Sequence, residues 1–208
     1  MPGKKSVAII GYSGHAYVVL ETAKMQGIHF LGYCENNPIL QNPYNLAYLG
    51  FESDNNFDWS IAEKFVLGIG DNYIRYKIGK LIHAKKKKIL TITHPSAVIS
   101  TTVKIGHGNF IGANVIVNAL ATIGDYCIIN NGSIIEHECK LEDAVHIAPG
   151  AVLAGNVRVG SNTFVGANSV VKQGVSIGKN VIIGAGSTVI RDIPDNQVWV
   201  GNPARRLK

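Results

Sequence analysis

A histidine held between two carboxylates is a candidate proton acceptor, and this chain has one at Glu136-His137-Glu138. A neighbouring carboxylate orients an imidazole and raises its basicity, which is what general base catalysis asks of a side chain. A second histidine, His146, follows nine residues later in His-Ile-Ala-Pro-Gly. Residues 132–150 also read as an ordinary polar stretch of a repetitive scaffold, so the rest of the chain has to decide. His107, which has no acidic flank, reads as surface decoration.

The segment Gly11-Tyr12-Ser13-Gly14-His15 follows an apolar run and precedes a helical pattern. Free backbone amides and the positive end of a helix dipole attract phosphate at such a junction. Gly11, Ser13, Gly14 and His15 are the candidate contacts. With two glycines the motif falls short of a full GxGxxG, and a tight turn without a ligand fits it as well. Glu35 closes the second apolar run, where an acidic residue in such folds often meets a sugar hydroxyl.

The elements that must position these groups follow two grammars. Every sixth residue from Ile99 to Val189 is Ile, Val or Leu, at all sixteen positions. The residue two places earlier is small or β-branched almost throughout, and a glycine often follows, as in Ile105-Gly106 and Ile183-Gly184. A period of six fits neither a helix nor a simple strand. It fits a β-solenoid in which three hexads close a triangular coil, with aliphatic residues stacked inside, giving about five coils. Cys127 and Cys139 fall on small inward positions and are assigned to packing.

The first part of the chain alternates differently. Apolar runs at 6–10, 29–34, 64–71 and 87–92 predict strands, and residues 15–25 and 72–84 carry helical patterns, the second capped by Asp71. Strand, helix, strand, strand, helix, strand describes a small α/β domain with a parallel sheet. The expected division is an α/β domain over 1–95 and a repeat domain with a C-terminal tail over 96–208.

Several classes are excluded by composition. No apolar run approaches the roughly 20 residues of a membrane helix, and the apolar stretch near the start breaks at Gly11, too early for a secretory signal. Three scattered cysteines suggest neither a disulfide framework nor a zinc site. A cytoplasmic protein is expected. The net charge of +6 and pI near 9.2 owe much to four lysines at 85–88, which read as a solvated edge rather than a nucleic-acid patch. Anionic small substrates suit the same charge.

Asn-Gly-Ser-Ile-Ile-Glu-His-Glu-Cys, His-Ile-Ala-Pro-Gly, Ala-Gly-Asn-Val-Arg-Val-Gly and the ending Val-Gly-Asn-Pro-Ala-Arg, preceded by Gly-Tyr-Ser-Gly-His, resemble the bacterial left-handed β-helix sugar acyltransferases. That family includes sialic-acid O-acetyltransferases and the N-acetyltransferases of nucleotide-linked 4-amino-4,6-dideoxy sugars. The resemblance covers nearly the whole chain and implies a Rossmann-like domain followed by a left-handed parallel β-helix.

It further implies a homotrimer with acetyl-CoA as co-substrate between neighbouring β-helices, and no metal. The acceptor would be the 4-amino group of a UDP- or dTDP-linked sugar, for glycan or O-antigen biosynthesis. His137 matches the general base and Glu138 its acidic partner. His146, the Gly155 backbone and Ala185 match positions along the donor, and Gly14 and His15 match the sugar-nucleotide loop. One departure is visible: the family's two aspartates after the second strand are Cys34 and Glu35 here. O-acetylation of a free sugar is the alternative that uses the same base on a hydroxyl. A non-catalytic or zinc-dependent solenoid is the remote one, since His107, His137 and His146 lie in different hexads.

Overall fold

The run Val7–Ile10 forms β1, buried at all four positions because both of its faces are covered. Val7 and Ile9 pack with Ala16, Val19, Leu20 and Ala23 of helix α1 (Gly14–Met25). Ala8 and Ile10 face the other way, toward Ile78 and Ile82 of α2 (Asn72–Ala84). Continuous rather than alternating hydrophobicity is the mark of a parallel strand covered on both sides. The computed structural model of the chain describes residues 7–207.

Around β1 lie β2 (Phe30–Cys34), β3 (Ala47–Tyr48), β4 (Lys64–Leu67) and β5 (Lys88–Ile89), in the parallel order β3-β2-β1-β4-β5. The chain thus steps outward from β1 to β3, then returns to the other side of β1 at β4. The crevice at the strand ends between β1 and β4 is the topological switch point, where such sheets bind ligands. Asp71 caps α2 as expected, its Oδ1 accepting the Ile74 amide at 2.8 Å. The two-residue edge strand β3 has no apolar signature, both side chains being exposed, and periodicity did not announce it.

The solenoid begins at Ile92–Thr93, which pairs with Phe110–Ile111. Thr93 stands where the hexad count would want an aliphatic residue, so this first rung is invisible to the period. Each later rung pairs with the one eighteen residues on, as His146 pairs with Phe164. The second face carries six strands, one more coil than expected, and the third face five. The first face, which runs from Ile92–Thr93 through His146–Ile147 to Val198–Val200, is packed against the α/β domain. The aliphatic and small positions stack into one core, with Cys127 and Cys139 fully buried inside it.

The corners follow a second period. Every sixth residue from Gly108 to Gly186 has φ between +54° and +75°. Ten of these fourteen left-handed positions are Gly or Asn, the residues that tolerate them most readily. Leu120, Tyr126, Glu138 and Ala144 are the exceptions.

Two of the exceptions dock the domains. Arg75 of α2, 1% exposed, donates from Nε to the Tyr126 carbonyl (2.7 Å) and from Nη2 to that of Ala144 (3.0 Å). It also reaches the Gly70 carbonyl (2.9 Å) and Asn72 Oδ1 (2.9 Å) in its own domain. Desolvation pulls its pKa down to about 10. One buried guanidinium therefore ties the loop after β4 to two successive solenoid corners.

Candidate active site

His137 and Glu138 occupy the turn that leaves the Ile134–Ile135 rung, at the corner between the second and third faces. Glu138 is in the left-handed conformation at φ +61°, and its amide donates to the Ala119 carbonyl of the preceding coil (2.9 Å). This backbone carries the Glu138 carboxylate to the imidazole, with Oε2 3.1 Å from His137 Nδ1. Both side chains are about half exposed, at 50% and 56%. With the Nδ1 proton donated to Glu138, Nε2 is the free proton acceptor.

The ring rests on Gly155, one coil later. A Cβ at Gly155 would lie 2.5 Å from His137 Cε1 and Nε2, so only glycine fits beneath the imidazole. The Gly155 N–H donates to no acceptor among the described residues, although its carbonyl accepts from Gly174. Leu120, one coil before Glu138 and 59% exposed, gives the corner an apolar edge. Base, carboxylate and an open amide thus converge from two coils at an exposed corner.

The second assembly is a cavity of about 510 Å³ at the switch point of the sheet. Gly11 and Ser13 line it after β1, Cys34 and Glu35 after β2, and Gly68 to Asp71 after β4. Gly11 has φ +88°, and a Cβ there would come within 3.1 Å of Gly68 and Ile69. Ser13 caps α1 without a side-chain hydrogen bond, and Gly14 faces open space, so the helix N-terminus presents bare amides. Glu35 does not point freely into the cavity. Its Oε1 accepts the Tyr12 amide at 2.9 Å, a fold-back that the longer side chain permits.

Glu52, on the loop after β3, also lines this cavity and was not singled out by sequence. It is 6% exposed, and burial raises its carboxyl pKa. Its signal was absent because the loop has no period and the residue precedes no motif. Cys34 is buried, and desolvation pushes its thiol up to about 12, which excludes it as a nucleophile at neutral pH.

His15 and His146 meet at the seam between the domains. His15 stacks edge-on against Phe110, His146 against Phe164, and both rings lie on the first face of the solenoid. Desolvation, with Arg75 nearby, lowers their pKa to about 4 and about 3, so both are neutral at pH 7. His146 Nε2 lies 3.3 Å from Asn130 Nδ2. Ala185 is exposed in the turn joining the first and second faces, a corner distinct from that of His137. Within one chain, then, His137, Glu138 and Gly155 form one group, Gly11, Ser13, Gly14 and Glu35 a second, and His15 and His146 a third.

Among the described residues no three His, Cys, Asp or Glu side chains are placed to hold a metal ion. No helix among them is long and apolar enough to cross a membrane.

Known proteins share this arrangement. Residues 6–82 match the PglD N-terminal domain, and residues 120–155 and 156–191 each match the six-repeat bacterial transferase hexapeptide family. A perosamine N-acetyltransferase from Caulobacter crescentus, solved with CoA and GDP-perosamine and with one histidine replaced by asparagine, superposes with a TM-score of 0.91. It is 34% identical, over 98% of this chain and 97% of that one. The acetyltransferase domain of PglB from Neisseria gonorrhoeae, solved with acetyl coenzyme A, has a TM-score of 0.88 and 31% identity over 99% and 100% of the two chains. The GDP-perosamine N-acetyltransferase of Escherichia coli O157:H7 is 34% identical over 89 residues, 43% of this chain. The chain spans less than half the length of the curated relatives it matches, 40% of the Escherichia enzyme among them.

A parallel sheet with a switch-point cavity, docked on a hexapeptide solenoid that bears an imidazole–carboxylate corner, defines a hexapeptide-repeat transferase. The chain belongs to the left-handed β-helix family of sugar N-acetyltransferases.

Proposed function

We propose that this protein transfers an acetyl group from acetyl-CoA to the 4-amino group of a nucleotide-linked 4-amino-4,6-dideoxy sugar. The observation that carries the reading is the His137 imidazole, pinned between Glu138 at 3.1 Å and the bare Gly155 backbone. The sugar amine attacks the thioester carbonyl carbon while His137 Nε2 accepts its proton. The Gly155 N–H donates to the developing oxyanion. The carbon–sulfur bond then breaks and the imidazolium returns its proton to the leaving thiolate. The sum is an amide and free CoA, with no covalent enzyme intermediate.

The acceptor's nucleotide belongs in the switch-point cavity, with its pyrophosphate on the bare amides of Ser13, Gly14 and His15. UDP and dTDP are the carriers expected from sequence, whereas the Caulobacter and Escherichia relatives carry GDP in their names. From that cavity a sugar can extend past Gly70, Asp71 and Tyr73 toward Phe164 and Ile182 of the first face, whereas His137 of the same chain stands at the corner between the second and third faces. Base and acceptor therefore meet across two copies, which favours a homotrimer with acetyl-CoA lying between neighbouring solenoids along His146, Gly155 and Ala185. Acetyl-CoA and sugar nucleotides are cytosolic metabolites, and the reading places the protein in the cytoplasm.

The test is a panel of amino- and hydroxy-sugar nucleotides assayed with acetyl-CoA for thiol release, with light scattering for the assembly. Release that depends on a 4-amino group is expected. Equal transfer to the hydroxyl analogue, or a fully active monomer, would overturn the reading.

A further inference from the structure

We propose that Glu52 reads the base of the bound nucleotide and selects guanine. The inference rests on the sugar-nucleotide reading of the switch-point cavity and adds to it the identity of the base.

The cavity has three kinds of wall. The turn at Gly11 and Ser13, which opens onto the bare amides at the start of α1, suits a diphosphate. Glu35 is committed to the loop, its oxygens accepting from Tyr12 N–H (2.9 Å) and Asn36 N–H (3.3 Å). The remaining wall, formed by the loop after β3 and the start of α2, offers Phe51, Glu52, Tyr73 and Ile74. Tyr73 and Ile74 are 70% and 50% exposed, an apolar pair without protein cover that suits the faces of a flat ring.

Glu52 is the acidic group in that wall, and its two oxygens can accept more donors than the two that reach it locally. The residue is 6% exposed, and its carboxyl has a Ser53 hydroxyl at 3.4 Å and its own backbone amide as partners. A buried carboxylate costs free energy until donors reach it. Guanine brings two adjacent donors, N1–H and N2–H, that match the two oxygens of a carboxylate. Uracil and thymine bring one donor, N3–H, flanked by carbonyl oxygens that would face the second carboxylate oxygen and repel it. The same carboxylate thus attracts one base and rejects the other.

Calorimetry of the full chain with GDP, IDP, UDP and dTDP tests this. A bidentate pair is worth about 1–3 kcal/mol of discrimination, so GDP should bind roughly 10- to 100-fold tighter than UDP or dTDP. IDP lacks the N2 amine and should lose about tenfold relative to GDP, a comparison that requires no variant. Glu52→Gln replaces one acceptor by a donor, the pattern that uracil wants. It should weaken GDP by roughly 10- to 100-fold and leave UDP equal or tighter. Equal binding of UDP and GDP, equal binding of IDP and GDP, or a uniform loss for all four ligands in Glu52→Gln would overturn the assignment. Thiol release separates the two readings. Faster acetylation of a UDP- than a GDP-linked amino sugar removes guanine selection and leaves N-acetyl transfer standing. A GDP preference without thiol release from any amino sugar does the reverse.

Discussion

The molecule uses histidine in two opposite settings. At the solenoid corner, His137 stands half exposed with a carboxylate at 3.1 Å and glycine backbone beneath it. At the domain seam, His15 and His146 are walled by Phe110 and Phe164, sit near the Arg75 guanidinium, and are held neutral with pKa values of about 4 and about 3. The corner leaves its imidazole open to water beside a carboxylate, and the seam keeps protons away. Residue type alone does not separate these roles. Solvent and the sign of the nearest charge do.

The comparison is broken most directly at the corner. His137→Ala should lower kcat by about 10²- to 10⁴-fold, the usual range for a general base, with little change in melting temperature because a half-exposed side chain carries little packing. Wild-type kcat in the variant, or a variant that no longer folds, would remove the base assignment. At the seam the balance reverses. Arg75→Met should cost about 2 kcal/mol or more in denaturant unfolding, since it strands the carbonyls of Tyr126 and Ala144 at roughly 1–3 kcal/mol for each group left unsatisfied. A loss below about 1 kcal/mol would mean that water replaces the guanidinium and that the seam is wet.

Most of the scaffold was legible in the sequence, because sixteen aliphatic residues at a strict period leave the solenoid no other core. Half of the site was legible too. Glu136-His137-Glu138 stood out chemically, and Gly11 to His15 marked the strand-to-helix turn. The corner period was equally present and went unread: fourteen left-handed positions, of which Tyr126 and Ala144 break the Gly/Asn rule where Arg75 docks and Glu138 breaks it beside His137. Breaking a favoured backbone type at three functional places costs about 1–3 kcal/mol each, which the surrounding contacts must offset. Glu52 and Arg75 could not be found that way. Their importance lies in burial without an ordinary partner, a property of three dimensions that no local spacing encodes.

Gly155 sharpens the corner side of the comparison without touching the base itself. Gly155→Ala places a Cβ 2.5 Å from the imidazole, so the ring must swing off its coil while Glu138 stays in place. A displacement near 1 Å in a reacting group can cost about 10²-fold, and kcat should fall by that order with the donor KM little changed. Crystals of the variant with His137 unmoved, or unaltered kcat, would show that the glycine serves only the turn.

The last effect expected is a pH dependence of stability that belongs to the seam. In the unfolded chain His15 and His146 take up protons near pH 6.5, but in the folded protein they resist until about 4 and about 3. Between those values the unfolded state binds more protons, so stability rises with pH and is lost as pH falls. The contribution is fully present above pH 6.5 and declines by about 1.4 kcal/mol per histidine for each unit below it. Melting temperature should therefore drop from pH 7 to pH 5, and His146→Asn should remove roughly half of the seam's share of that slope. Asparagine has no proton to gain there, and it keeps a polar group facing Asn130. If the wild-type melting temperature were flat from pH 7 to pH 5, or if His146→Asn left the slope unchanged, water would have to reach the seam histidines and the contrast between the two settings would fail.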